Sequence, residues 1–284
     1  MMCCDFCRIA EASDVKLKEI CNACKSVRYC SVKCKREHIS WHRRDCKMLA
    51  AELHNKILFK QPESSHFGDC PICLLPLSLD SDKHSLMGCC SKLVCEGCNY
   101  ANQMREFTEK LKKKCPFCRH PTPKLQEEAE KNNMKRVEVN DQVALCQMGM
   151  HRYIEGDYNG AVEYSTKAAE LGDVQSHYNL SIMYDKGEGV EKDRKKAVYH
   201  WEQAAISGHP EARQNGRHER AMKHFIIAAK LGYDGSLGSL KDAYGKGYVS
   251  KDDFATALRA HQAAVDATKS PQREAAEVVL RRQW

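Results

Sequence analysis

The feature that most limits what this chain can become is where its cysteines fall. Of the 17 cysteines in 284 residues, all but Cys146 lie at or before residue 118. Many come as close pairs with two residues between them: "CDFC", "CNAC", "CPIC", "CEGC" and "CPFC". That spacing lets two thiolates reach one tetrahedral zinc ion, and disulfide frameworks carry no such periodicity. The chain therefore divides into a cysteine-rich part whose folding leans on metal and a cysteine-poor part that must bury a core of its own. "MMCCDFCRIAEASDVK" contains no apolar leader and no run of eighteen apolar residues occurs, so an intracellular location, cytoplasmic or nuclear, is expected, with no membrane contact.

In the first part, Cys4, Cys7, Cys21, Cys24, Cys30, Cys34, His42 and Cys46 offer eight ligands, enough for two tetrahedral sites. The three residues between His42 and Cys46 give a helical spacing that puts both on one face. The ending "VRYCSVKCKREHISWHRRDC" resembles a MYND finger, and the resemblance covers residues 4 to 46. It implies interleaved sites, with Cys4, Cys7, Cys30 and Cys34 on one zinc and Cys21, Cys24, His42 and Cys46 on the other. It also implies a shallow groove for short proline-containing peptides. The family usually has Trp directly after the position of His38; here Ile39 stands there and Trp41 is displaced by two. Cys3 reads as a spare thiol, and His38 and His54 as solvated helix residues. No open metal position with a general base is evident, so these zincs are expected to be structural.

The second cluster runs Cys70, Cys73, then Cys89, Cys90, Cys95, Cys98, then Cys115, Cys118. Pair, gap, mixed cluster, gap, pair resembles a RING, and "CPFCR" resembles that family's common closing. The resemblance implies one zinc on Cys70, Cys73, Cys95 and Cys98 and another on Cys89, Cys90, Cys115 and Cys118. The position where a RING usually carries His is Lys92, a poor ligand because its ammonium has no free lone pair. Cys89, adjacent to Cys90, or His84 is expected to replace it; if neither reaches, the site has three ligands and is weak. In ligases of the family, an apolar residue in the first pair, a Pro in the last pair and a basic residue after the last Cys grip a ubiquitin-conjugating enzyme and its ubiquitin. By position these are Ile72, Pro116 and Arg119. Such a ligase has no covalent nucleophile; Arg119 would be an aligning donor holding the thioester in a near-attack geometry.

From about Gln126 cysteine thins out and alanine rises. "AVEYSTKAAELG", "AVYHWEQAAISG" and "AMKHFIIAAKLG" begin at Ala161, Ala197 and Ala221, with "ALRAHQAAVDA" at Ala257. Each carries small residues seven apart, and the first three end at Gly, as a packed helix with a left-handed cap would. These helix pairs resemble Sel-one-like repeats, relatives of tetratricopeptide repeats, which implies a curved solenoid that holds protein partners. The start at Ala221 comes twelve residues early, so a local defect is expected near Gln214 to Arg220. Tyr178, Tyr184, Tyr199 and Trp201 read as inter-helix core.

The expected fold class is thus multi-domain, two small zinc-stapled modules followed by an all-α helical-repeat solenoid. The expected boundaries are 1–50 MYND, 51–66 linker, 67–120 RING, 121–139 linker and leading helix, 140–268 repeats with one shortened near 209–221, and 269–284 tail. The formal net charge of +7 invites nucleic acid. However, fifteen thiolates on four zinc ions would bring the net charge to about zero, which weighs against that partner. The combined resemblances imply a RING-type ubiquitin ligase that recruits protein partners through its flanking modules. The alternative is a non-catalytic zinc-dependent scaffold.

Overall fold

The structure, a computed structural model, describes residues 19–123, 125–211 and 218–280. It divides into two compact units, residues 1–60 and 61–284.

In the first unit, β1 (Glu19–Ile20) pairs antiparallel with β2 (Arg28–Tyr29), Glu19 opposite Tyr29 and Ile20 opposite Arg28. Helix α1 (Val32–Leu58) follows, started by Ser31, whose side chain accepts a hydrogen bond from Cys34 N at 3.2 Å. The core is Cys24, Val27 and Tyr29, with Cys21, Cys30, Cys34, Cys46, Leu49 and Ala50 against it. Five of these nine residues are cysteines, so the centre is built as much from metal-binding side chains as from apolar ones. The segment expected as a linker from residue 51 is helical to Leu58. "AELHNKIL" consists mostly of good helix formers and the first breaker is Pro62, so the helix has no local reason to stop at Cys46.

The second unit opens with a zinc-finger-sized module. An antiparallel hairpin, β3 (His84–Met87) and β4 (Lys92–Cys95), pairs Ser85 with Val94 and Leu86 with Leu93 and leads into α2 (Glu96–Thr108). Cys70, Leu77, Val94, Cys95 and Cys98 form its buried centre, with Phe67, Met87 and Leu93 around it.

Nine helices then follow among the described residues: α3 (Gln126–Glu138), α4 (Gln142–Ile154), α5 (Tyr158–Glu170), α6 (Val174–Lys186), α7 (Arg194–Ile206), α8 (His218–Lys230), α9 (Asp234–Gly245), α10 (Lys251–Ala267) and α11 (Pro271–Leu280). α4 packs on α5, α6 on α7, and α8 on both α9 and α10. The small residues at the repeat positions explain why the helices come so close. Ala161, Ala168, Ala197, Ala204, Ala228 and Ala257 are all fully buried. Aspartates start α4 to α7: Asp141, Asp157, Asp173 and Asp193 each accept from a backbone N–H of the first turn. The closing glycines Gly172, Gly208 and Gly232 share one left-handed conformation, φ 93°, 92° and 91°, which a Cβ would oppose.

The defect expected near Gln214 to Arg220 falls largely outside the described residues, which break off at 211 and resume at His218, where α8 begins. The structure departs from the sequence expectations in two further places. Tyr199 is not inter-helix core: it is 54% exposed and meets His200 edge-on at 5.1 Å. The expected tail contains α11, which packs on α2. Pro271 suits a first helical position, Ser270 accepts from Arg273 N at 3.3 Å, and Ala276 is fully buried, so the segment carries its own start signal and an anchor.

Candidate metal centres

Three of the close cysteine pairs, Cys21/Cys24, Cys70/Cys73 and Cys115/Cys118, share one backbone device, whereas Cys95 and Cys98 open helix α2. In these three, the residue just after the second cysteine turns left-handed: Lys25 at φ 53°, Leu74 at 58° and Arg119 at 63°. Its amide donates to the carbonyl of the first cysteine, Lys25 to Cys21 at 2.9 Å, Leu74 to Cys70 at 2.9 Å and Arg119 to Cys115 at 3.1 Å. This tight turn folds two thiols toward one point. Ser91, just after Cys90, adopts the same conformation at φ 51° and donates to Met87 O at 2.8 Å.

Three four-residue groups result among the described residues: Cys21, Cys24, His42, Cys46; Cys70, Cys73, Cys95, Cys98; and Cys89, Cys90, Cys115, Cys118. Within each, the ligand atoms lie within 4.8 Å of one another. A tetrahedral zinc with sulfur at about 2.3 Å has sulfur-to-sulfur edges of roughly 3.8 Å. The edges here are 3.6 Å for Cys21–Cys46, 3.8 Å for Cys73–Cys95, 3.9 Å for Cys90–Cys115 and 3.3 Å for Cys89–Cys118. A disulfide needs about 2.05 Å, and all of these cysteines are free thiols. The donor sets fit zinc. Each group fills four positions and leaves none open, the pattern of a structural site.

The thiols also divide electrostatically. Burial works against ionisation of Cys21, but amide donation from Cys24 and Ala23 and contact with His42 outweigh it and bring the thiol down to about 6. Its neighbour Cys46 is pushed up to about 11 by burial and by Cys21 itself. In the third group, burial and the neighbouring thiols raise Cys90 to about 11 and carry Cys89 well above the ordinary thiol range, while Cys118 is lowered. In these two groups one thiol is favoured as the thiolate, Cys21 in the first and Cys118 in the third, while Cys46, Cys89 and Cys90 resist a further charge. A dication removes that conflict.

Cys30, just before α1, and Cys34 in its first turn lie 3.6 Å apart at their sulfurs, while Cys3, Cys4 and Cys7 lie outside the described residues. His38 does more than face solvent: its Nδ1 lies 3.1 Å from Tyr29 Oη and its ring stacks on His42 at 5.7 Å. Cys89 joins the third group; His84 sits in β3 opposite Cys95 with its ring against Phe67 at 4.6 Å. Ile72 is 41% exposed, Pro116 half-buried, and Arg119 exposed with Nη1 donating to Asn102 Oδ1 of α2 at 2.8 Å. Two residues that motif reading missed also touch these loops, Arg136 and Arg273. Their only sequence signal is charge, which they share with many others.

Structural metal groups in short stapled modules, joined to paired helices with alanine seams, define a zinc-stapled helical-repeat protein. More specifically, the chain carries a MYND finger over residues 4–46 and Sel1 repeats over residues 142–173, 174–209 and 213–233. The third repeat match is the shortest and overlaps the site of the twelve-residue loss. Over 61 residues the chain is 41% identical to the mouse (Mus musculus) protein DAP3-binding cell death enhancer 1; that stretch is 22% of this chain and 12% of the relative. Among solved structures it is similar to a Sel1 repeat protein from Oxalobacter formigenes, at 19% identity and a TM-score of 0.43, covering 66% of this chain and 87% of that one. It is also similar to c5321, a protective antigen of uropathogenic Escherichia coli with an SLR fold, at 28% identity and a TM-score of 0.40, covering 49% and 33%.

Proposed function

We propose that this chain is an intracellular zinc-dependent adaptor that joins protein partners and performs no covalent chemistry of its own. The observation that carries the reading is the closure of the metal groups: four ligands each, none open to water or substrate. Cys4, Cys7, Cys30 and Cys34 would complete a fourth site. MYND fingers and Sel1 repeats are protein-interaction modules, so protein partners follow from both. On α1, Ile39 and Trp41 are 60% and 79% exposed, an uncovered apolar pair on the finger that suits a short proline-containing peptide. The test is titration of a proline-rich peptide into the zinc-loaded protein. Binding that disappears in Trp41→Ala and on chelation supports the reading; binding insensitive to both sinks it.

A second reading, a RING-type ubiquitin ligase, is favoured by one specific observation. Ile72 and Arg119 are exposed on two stapled loops, and Asn102 pre-orients the Arg119 guanidinium. Pro116 would complete the grip on a ubiquitin-conjugating enzyme. A discharge assay with a ubiquitin-charged conjugating enzyme decides it. Acceleration lost in Arg119→Ala supports a ligase; no acceleration over the enzyme alone leaves the scaffold.

A further inference from the structure

Two arginines from opposite ends of the helical array reach the same stapled module. From α11, Arg273 Nη2 donates to Cys73 Sγ at 3.3 Å and Leu75 O at 3.1 Å, and Nη1 to Pro76 O at 2.7 Å and Thr268 O at 2.8 Å. From α3, Arg136 Nε donates to Ser91 Oγ at 2.7 Å and Nη1 to Cys89 O at 3.4 Å. Arg136 is also paired with Asp141, the residue whose carboxylate starts α4. The first grip falls on the loop of the Cys70 group, the second on the loop of the Cys89 group.

Three of the acceptors, Leu75 O, Pro76 O and Cys89 O, are backbone carbonyls of the two loops, and Thr268 O closes α10. Leu74 and Ser91, in the left-handed region, sit inside these two loops, a conformation that costs a non-glycine residue about 1 kcal/mol or more. A shared ion joining the thiols would offset that cost. A guanidinium offers a rigid fork of donors, so it binds carbonyls in one fixed arrangement and is insensitive to none of their displacement. Beside Cys73 its positive charge also complements a thiolate cluster. α11 is seated further by Gly97 of α2, where an added Cβ would come within 2.8 Å of Arg273 N, and by Lys83 Nζ at 3.9 Å from Glu277.

We propose that the module at 67–120 is a zinc-dependent clasp fastening the two ends of the helical array, through Arg136 at α3 and Arg273 at α11. The proposal rests on reading the two four-cysteine groups of this module as zinc sites. Metal loading then sets whether the array is closed on itself, and thereby how much of its inner surface a partner meets.

The experiment is hydrogen–deuterium exchange by mass spectrometry on the full chain, zinc-loaded and after chelation, with the ions counted by native mass spectrometry. Removal of the module's two ions is expected to speed exchange in residues 126–141 and 271–280 at least about tenfold, from loss of charge-assisted hydrogen bonds, with α5 to α7 little changed. In the zinc-loaded protein, Arg273→Ala speeds 271–280 alone at an unchanged ion count, and Arg273→Lys does not restore protection because one ammonium cannot serve three separated carbonyls and a thiolate. Ser91→Ala, a milder variant, speeds 126–138. Loss of the ions with both ends unchanged, or with acceleration spread evenly over α4 to α10, would overturn the clasp while leaving the zinc sites standing. A module that binds no zinc would overturn both.

Discussion

Replacing Gly97 with Ala sets two effects of opposite sign against each other. Gly97 is the second residue of α2, and glycine in a helix costs up to about 1 kcal/mol relative to alanine, so propensity alone predicts a gain. The structure predicts the reverse. A Cβ there would meet Arg273 Cγ and N at 2.8 Å and Cα at 2.9 Å. Ordinary carbon contacts begin near 3.5 Å, so α11 must retreat by roughly 0.6 Å or more, and two of the three atoms are backbone and cannot rotate aside. Overpacking of this kind costs about 1–3 kcal/mol. The net expectation is a loss of about 1–2 kcal/mol confined to the α2–α11 contact. At 1.4 kcal/mol per tenfold, amides of residues 271–280 should exchange roughly 5- to 30-fold faster in zinc-loaded Gly97→Ala. Slower or unchanged exchange would show that propensity wins, and that α11 does not rest on Gly97.

Three further outcomes are expected. Cys89→Ser lowers the ion count in native mass spectrometry by one whereas His84→Ala leaves it unchanged; the reverse pattern would reassign the ligand. Leu180→Ala, at a side chain 1% exposed, costs about 2–5 kcal/mol in denaturant unfolding of the repeats, and a loss below 1 kcal/mol would contradict its place in the α5–α6 core. Burial lowers His209 to about 3, with His66 adding to the effect, and lowers His66 to about 4. Both stay neutral when folded while the unfolded chain takes up protons below about 6.5, so this stability is complete above that pH and falls by about 1.4 kcal/mol per unit per histidine as pH drops toward 4. His209→Phe should flatten the decline between pH 6.5 and 5.5 in urea midpoints, and an unaltered slope would show that His209 is not the group responsible.

What the sequence made legible was what is local. The cysteine pairs announce their turns because two ligands and the bend between them fit in a handful of residues, and Cys89 was a readable candidate because it adjoins Cys90. The alanine seam and closing glycines were visible because each repeat restates them. The seating of α11 was not visible: Arg273 finds Cys73 from 200 residues away, and nothing in "SPQREAAEVVL" distinguishes that arginine from a solvated one. The reach of α1 to Leu58 was missed for a different reason. The finger motif ends at Cys46, but helix propensity does not recognise motif boundaries. Tyr199 was misplaced because the spacing of aromatics along α7 does not say which face has a neighbour.

The left-handed turns at Lys25, Leu74, Ser91 and Arg119 have a consequence for how these modules acquire their shape. A glycine at any of the four would adopt the same φ without strain, and the turn would then need less help from its ligands. With side chains in place, a bound ion would do the conformational work that glycine does elsewhere. Substituting glycine at Leu74 or Ser91 should therefore make the apo module less dependent on metal for its form, at the expense of its responsiveness to zinc. At 119 the same exchange would also remove the guanidinium that Asn102 holds. In the proposed clasp, the residues that make these turns hard to form are what would let zinc availability be felt as a change of structure.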